Sequence, residues 1–186
     1  MKLLDKFIRY WRVRMALKNR PKVMENVFDI GCDDGYLLQK LSHITKRQDG
    51  VDPRLKSDSI SPKSEIKKGF FPSVIEDYQM QGKYDAIFAL AVFEHFTEKD
   101  IRQSASVISR MLSPEGRLII TVPHPFVDHI IETLICLHVV QGATIEEHHG
   151  FDPGDIVKYF SRSLKLIKHK RFQLGLNNVF VFGRLN

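Results

Sequence analysis

The sequence has no apolar stretch long enough to cross a bilayer. Its longest uninterrupted run, Ala86 to Phe93, closes at Glu94 and His95, far short of the roughly 20 residues a spanning helix needs. It has two cysteines, Cys32 and Cys136, too far apart for a spaced metal-ligand set or a disulfide framework, so a reducing, cytoplasmic setting is expected. It lacks the clean apolar core of a secretory signal, because Lys2, Asp5, Lys6, Arg9 and Arg12 interrupt its first residues. It also lacks internal repeats and low-complexity tracts. What is present is an ordinary globular balance, with 43% hydrophobic and 27% charged residues over 186 positions, enough for one domain with a sizeable core.

The net charge of +6 is unevenly placed. Residues 1–22 carry eight basic residues against Asp5 alone, so the basic character belongs to this arm and the remainder is near neutral. Leu3, Leu4, Phe7, Ile8, Trp11 and Met15 recur at helical spacing, and Pro21 stops the pattern. The expectation is an amphipathic helix over residues 1–22 that packs this stripe on a domain spanning residues 23–186 and solvates its charges. The alternative is an arm that holds an anionic membrane surface, RNA or another polyanion.

Beyond the arm, strand-like and helix-like segments alternate. Val27 to Ile30, Gly50 to Asp52, Ile66 to Phe71, Tyr84 to Leu90 and Arg117 to Val122 read as strands. Tyr36 to Ser42, Glu98 to Met111 and Phe126 to Val140 read as helices, and Ser113 to Gly116 as a turn. Asp152-Pro153 has the form of an N-cap followed by proline at the first helical position, opening a helix to about Phe160. Two consecutive strands, Leu164 to Arg171 and Asn177 to Phe182, close the chain. The pattern predicts an α/β fold: a Rossmann-like, doubly wound, mostly parallel seven-stranded sheet with an antiparallel C-terminal edge hairpin and an N-terminal helix.

In such a sheet, ligands sit at the carboxyl ends of the strands. The first strand ends in Asp29 and a turn, Gly31-Cys32-Asp33-Asp34-Gly35, before Tyr36 opens a helix. The two glycines let the backbone bend and approach a ligand. Asp52, about twenty residues on, ends the second strand, where a carboxylate can accept from two ribose hydroxyls. Asp29, Asp33 and Asp34 would repel a pyrophosphate at that helix end. The expected ligand is a nucleoside without phosphates, and a cationic one turns the acids into assets.

Four segments carry a resemblance. "VFDIGCDDGYLLQKL" is similar to motif I, D-x-G-x-G-x-G, of the class I S-adenosylmethionine-dependent methyltransferases, in a small, single-domain form. "GVDP" resembles their ribose-binding post-I motif, "KYDAIFALAVFEHF" their fourth strand and its loop, and "MLSPEGRLIITVPHP" their fifth strand. The likeness runs in order over residues 25–183. It implies S-adenosylmethionine as cofactor, held by Asp29, Gly31, Cys32, Gly35, Tyr36, Asp52, Pro53, Phe71, Ala89 and Leu90. Asp33 replaces the motif's middle glycine. Phe70 and Phe71 stand where the family often has an acid near adenine, and Ala91 replaces an acid after the fourth strand.

Methyl transfer from a sulfonium is an in-line displacement dominated by alignment, and a hydroxyl acceptor also benefits from a general base. The candidates are Glu94, His95 and His124; Glu146 to His149 could fold over the same mouth. The family's small-RNA 3′-end enzymes bind a metal through an E-x-x-E-H pattern and a later histidine. Here Ala91 replaces the first glutamate, so no metal is assigned. The Asn/Asp-Pro-Pro-aromatic signature of base-amine methylation is absent. The favoured acceptor is a small-molecule or sugar oxygen. The alternatives are an RNA methyltransferase using the basic arm, and a cofactor-binding interaction module without catalysis. A monomer and a homodimer both remain open.

Overall fold

A computed structural model describes residues 3–75, 83–124 and 152–185. The elements in chain order are α1 (Leu3–Lys18), β1 (Asn26–Ile30), α2 (Tyr36–Leu41), β2 (Arg47–Asp52), β3 (Ser59–Ser61), β4 (Ser64–Lys68), β5 (Tyr84–Leu90), α3 (Glu98–Met111), β6 (Leu112–Pro123), α4 (Pro153–Phe160), β7 (Leu164–Phe172) and β8 (Asn177–Arg184). They build one sheet of order β3-β4-β2-β1-β5-β6-β8-β7. β4, β2, β1, β5 and β6 run parallel, and β8 joins β6 antiparallel and pairs with β7 as a hairpin.

The doubly wound sheet and its closing hairpin follow the sequence expectation. One strand more than the expected seven is present. Ser59–Ser61 pairs antiparallel with β4, and all three residues, Ile60 included, are exposed, so it is too short and too open to leave a buried face to read. Ser113 to Gly116, expected as a turn, lies within β6. The β5–β6 register jumps between Tyr84 and Ala86, and this irregularity absorbs the extra residues. The helix expected over residues 126–140 and the segment Glu146 to His149 lie outside the described residues, as does Cys136.

Each central strand is buried on both sides, with alternate residues feeding two layers. On one side, Phe28, Ile87, Leu118, Phe180 and Phe182 meet Ile101, Ala105 and Ile108 of α3 and Ile156 and Phe160 of α4. On the other, Val27, Ala86, Phe88, Ile119 and Val179 meet Val13 and Ala16 of α1 and Leu37, Leu38 and Leu41 of α2. Caps fix two helix starts: Thr97 Oγ1 accepts from Asp100 N at 3.2 Å, and Asp152 Oδ1 from Gly154 N at 2.7 Å.

The arm is helical, and part of the expected stripe packs: Trp11 and Met15 lie against the core, while Phe7 faces solvent. Val13, Ala16 and Asn19 are the buried residues among those described in this arm, and Ala16 lets the helix sit close to the sheet. Phe7 is 55% exposed, and Trp11 and Met15 are only half-buried. A stripe read from spacing shows that a helix has an apolar side; the partner's shape decides which side is buried.

Candidate active site

A cavity of about 1110 Å³ opens at the carboxyl ends of β1, β2 and β5. The turn after β1 forms its floor. Three of its five residues are left-handed: Gly31 (φ 75°), Asp33 (φ 46°) and Gly35 (φ 74°). A Cβ at Gly31 would lie 2.5 Å from Val92 Cγ2, so the first glycine is required by both conformation and space. At the position of the motif's middle glycine, Asp33 adopts the left-handed conformation that aspartate tolerates better than most residues.

Asp52 is buried at the end of β2 and lines the cavity. Its Oδ2 accepts from the backbone N–H of Asp33 at 2.9 Å and its Oδ1 from that of Arg54 at 2.8 Å. Each oxygen keeps a further lone pair for a ligand hydroxyl. The guanidinium of Arg54, largely exposed, stands 3.6 Å from Asp52 and 3.8 Å from Asp33.

Asp29, next to last in β1, lies in the same wall. Burial, and then the charge of Asp52, push its carboxyl well above the ordinary carboxylate range, while Arg9 acts in the opposite direction. Burial, followed by Asp29 and Asp52, also pushes the Cys32 thiol up to about 12, so this cysteine is a wall and not a nucleophile at neutral pH. The floor of the open cavity thus gathers Asp29, Asp33 and Asp52, which suit a ligand that brings positive charge, while Arg9, Arg12 and Arg54 stand in its walls.

α1 supplies a wall that sequence reasoning missed: Arg9, Arg12 and Val13 line the cavity. Arg9 makes a two-pronged ion pair with Asp34 and lies 4.5 Å from the ring centroid of Tyr36. The pairing holds the Asp34 carboxyl below its usual range. Arg12 Nε donates to Asn177 Oδ1 at 3.3 Å. Burial lowers the pKa of its guanidinium, and the charge of Glu94 opposes that. Arginines three apart on a helix whose next buried residue is Val13 were the available signal. They were read as part of the solvated face.

The segment after β5 forms the remaining wall. Leu90, Ala91, Val92, His95 and Phe96 line it, with Asp100 from α3. Ala91 is left-handed (φ 58°), and its N–H donates to Thr121 O at 2.8 Å. Of the residues expected at the site, Asp29, Gly31, Cys32, Asp52, Pro53, Phe71, Leu90 and His95 are in the wall. Gly35 closes the turn and Tyr36 opens α2, and neither lines the cavity. Ala89 is fully buried inside β5 and Glu94 is buried beneath the loop, and neither lines the cavity. His124 follows β6, where its N–H donates to Leu176 O at 2.8 Å, and it is not in the wall. Both Phe70 and Phe71 contribute, with different roles. Phe71 packs into the core, its ring centroid 6.3 Å from that of Phe28, whereas Phe70 is 70% exposed and presents the open aromatic surface.

These residues fit an adenosyl sulfonium: a buried acid for a ribose, an aromatic for a base, and acids for a cation. The comparisons agree. The sequence profile of the family described as "Methyltransferase domain" matches residues 3–173. A ubiquinone biosynthesis O-methyltransferase of Bradyrhizobium diazoefficiens is 24% identical over 141 residues, which is 72% of this chain and 55% of that protein. The chain thus spans about half the length of this curated relative. The fold resembles that of a TehB-like SAM-dependent methyltransferase from Corynebacterium glutamicum, with a TM-score of 0.63, 16% identity and 97% of each chain covered. It also resembles the N-methyltransferase NodS of Bradyrhizobium japonicum in complex with S-adenosyl-L-homocysteine, with a TM-score of 0.60, 16% identity, and 100% of this chain and 89% of that one covered.

Proposed function

The chain belongs to the methyltransferase domain family, and from that premise we propose that it transfers a methyl group from S-adenosylmethionine to a hydroxyl of a small molecule or sugar. Its enzyme class, S-adenosylmethionine-dependent methyltransferase, follows from the family. The acceptor and the residue roles are our reading. When bound, the cofactor supplies an already activated methyl group.

Asp52 would hold the ribose hydroxyls, with its lone-pair directions set by the N–H groups of Asp33 and Arg54. Phe70 would cover the adenine. Asp29 would take the amino group of the methionine part and Arg12 its carboxylate, each charge meeting its opposite in a wall otherwise rich in acids. Val13 and the rest of α1 exclude water from that end, which strengthens every charge interaction inside.

The observation that carries the oxygen reading is His95. It is the histidine among the described residues that reaches the cavity wall, next to Leu90 to Val92. An imidazole there can take a proton from an acceptor hydroxyl near neutral pH. The O-methyltransferase among the relatives supports the same chemistry. The test is transfer of labelled methyl groups to panels of hydroxyl, amine and RNA acceptors, with His95→Gln beside the wild type. The expected result is transfer to a hydroxyl, with kcat lowered about 10²–10⁴-fold in the variant and S-adenosylhomocysteine affinity kept. Transfer only to amines or RNA would remove the oxygen reading.

A further inference from the structure

A chain of side-chain amides stands behind Arg12. Arg12 Nε donates to Asn177 Oδ1 at 3.3 Å. Asn177 Nδ2 donates in turn to Gln173 Oε1, and Gln173 Nε2 donates to the backbone carbonyl of Ile8 at 3.4 Å. The chain leaves α1 at Arg12, crosses the start of β8 and the β7–β8 turn, and returns to α1 about one helical turn earlier. Asn177 is 4% exposed and Gln173 9% exposed, and neither lines the cavity, whereas Arg12 does. The same hairpin holds α1 a second time, where Lys168 Nζ donates to Asn19 Oδ1 at 2.8 Å. Ile8, Arg12 and Asn19 are spaced by four and seven residues, which keeps them on one side of the helix.

The turn that carries Gln173 turns its amide inward. Gln173 (φ 52°), Leu174 (φ 56°) and Gly175 (φ 89°) are left-handed in succession, a conformation that glycine adopts freely and other side chains resist. The outcome inverts the usual rule of burial, because the glutamine is buried and the leucine is fully exposed. Apolar burial would put the leucine inside, so the inward amide is explained by its partners, Asn177 and the Ile8 carbonyl. Backbone strain of this kind persists where the surrounding contacts over-determine it, and it gathers at functional sites.

We propose that Asn177, backed by Gln173, is a positioning residue that fixes the guanidinium of Arg12 for the cofactor's carboxylate, an inference that rests on the reading of Arg12 as that carboxylate's partner. A guanidinium held at Nε keeps its terminal N–H groups for a planar, two-pronged contact. Fixing a long side chain before the ligand arrives lowers the ordering cost of binding. Asn177 is a neutral amide, so this contact orients the charge of Arg12 without cancelling it. The C-terminal hairpin thereby sets affinity for the amino-acid end of the cofactor and leaves the ribose and the base to Asp52 and Phe70.

The test is a double-mutant cycle on the full chain, read by calorimetric titration with S-adenosylhomocysteine and with 5′-methylthioadenosine, which lacks the carboxylate. Asn177→Ala should weaken S-adenosylhomocysteine about 5–10-fold, the scale of one hydrogen bond, and leave 5′-methylthioadenosine within about twofold. In the Arg12→Gln background the same substitution should cost S-adenosylhomocysteine nothing further, because residues that act through one contact are not additive. Gln173→Asn keeps a residue that tolerates the left-handed turn and shortens the amide by a methylene. It should show the same selectivity at smaller size, and it decides the matter if Asn177→Ala does not fold. A selective loss at Arg12→Gln with none at Asn177→Ala or Gln173→Asn would overturn the inference and leave the reading of Arg12 standing. Equal loss of both ligands at Arg12→Gln would overturn both. Additive losses in the cycle, or equal loss of the two ligands at Asn177→Ala, would reduce the amides to packing behind the wall and overturn the inference.

Discussion

The backbone N–H of Asp33 donates to the Oδ2 of Asp52 at 2.9 Å. This bond ties the turn after the first strand to the acid at the end of the second. It explains how the pocket keeps its shape with aspartate at the motif's middle glycine. The contact uses the main chain, and the aspartate side chain stays half-exposed near Arg54. Asp33→Gly should therefore keep S-adenosylhomocysteine affinity within about threefold. Asp33→Val, which disfavours the left-handed conformation, should cost about 1–2 kcal/mol of stability and weaken binding. Thermal unfolding and ligand titration of the two variants check this.

On the proposed reading Asp29 serves the ligand, and its burial works against the ligand-free fold at neutral pH. Its folded-state pKa is raised by burial and by Asp52. The folded protein therefore holds this proton to higher pH than the unfolded chain does. The resulting stability is complete below the unfolded pKa and is lost as pH rises through the folded one. Asp29→Asn removes that loss. The variant should unfold a few degrees above the wild type at neutral pH, with the gap closing as the pH falls. It should also bind S-adenosylhomocysteine at least tenfold more weakly. Unfolding midpoints across a pH series, with one titration, decide it; a variant less stable at every pH would contradict the account.

Arg12 is assigned to a carboxylate, and a ligand lacking one isolates that contact. Arg12→Gln should weaken S-adenosylhomocysteine by about 10–100-fold, the scale of a lost charge-assisted hydrogen bond. Binding of 5′-methylthioadenosine, which has no amino-acid part, should stay the same. Parallel titrations of both ligands measure the ratio. Equal loss on both would assign Arg12 to the shape of the α1 wall.

Much of the scaffold was legible because its signals are local. Tyr84–Leu90 is carried by the apolar run that opens at Ala86 after Asp85, and Asp152-Pro153 announces a helix that the structure caps as expected. The Gly31-to-Gly35 turn and Asp52 were legible because sharp bends and strand-end acids leave residue-specific marks. Other features depended on distant partners. Periodicity found the amphipathic arm and part of its packed side, Trp11 and Met15, but missed the deeper contacts of Val13 and Ala16 and included the exposed Phe7. Arg12 looked like one more surface charge until the fold placed it, partly buried, beside Asn177 in the cavity wall. Phe70 and Phe71 were indistinguishable as neighbours until one entered the core. Ser59–Ser61 was too short to read, with its single apolar residue, Ile60, exposed.

The central claim is that Asp52, at the floor of this pocket, holds the ribose of S-adenosylmethionine. Calorimetric titration of S-adenosylmethionine and S-adenosylhomocysteine into the wild type and Asp52→Ala tests it most directly. The account predicts micromolar binding of both ligands to the wild type and a loss of about 100-fold or more in the variant, two charge-assisted hydrogen bonds being removed. Wild type that binds neither ligand, or Asp52→Ala that binds as tightly as wild type, would contradict it.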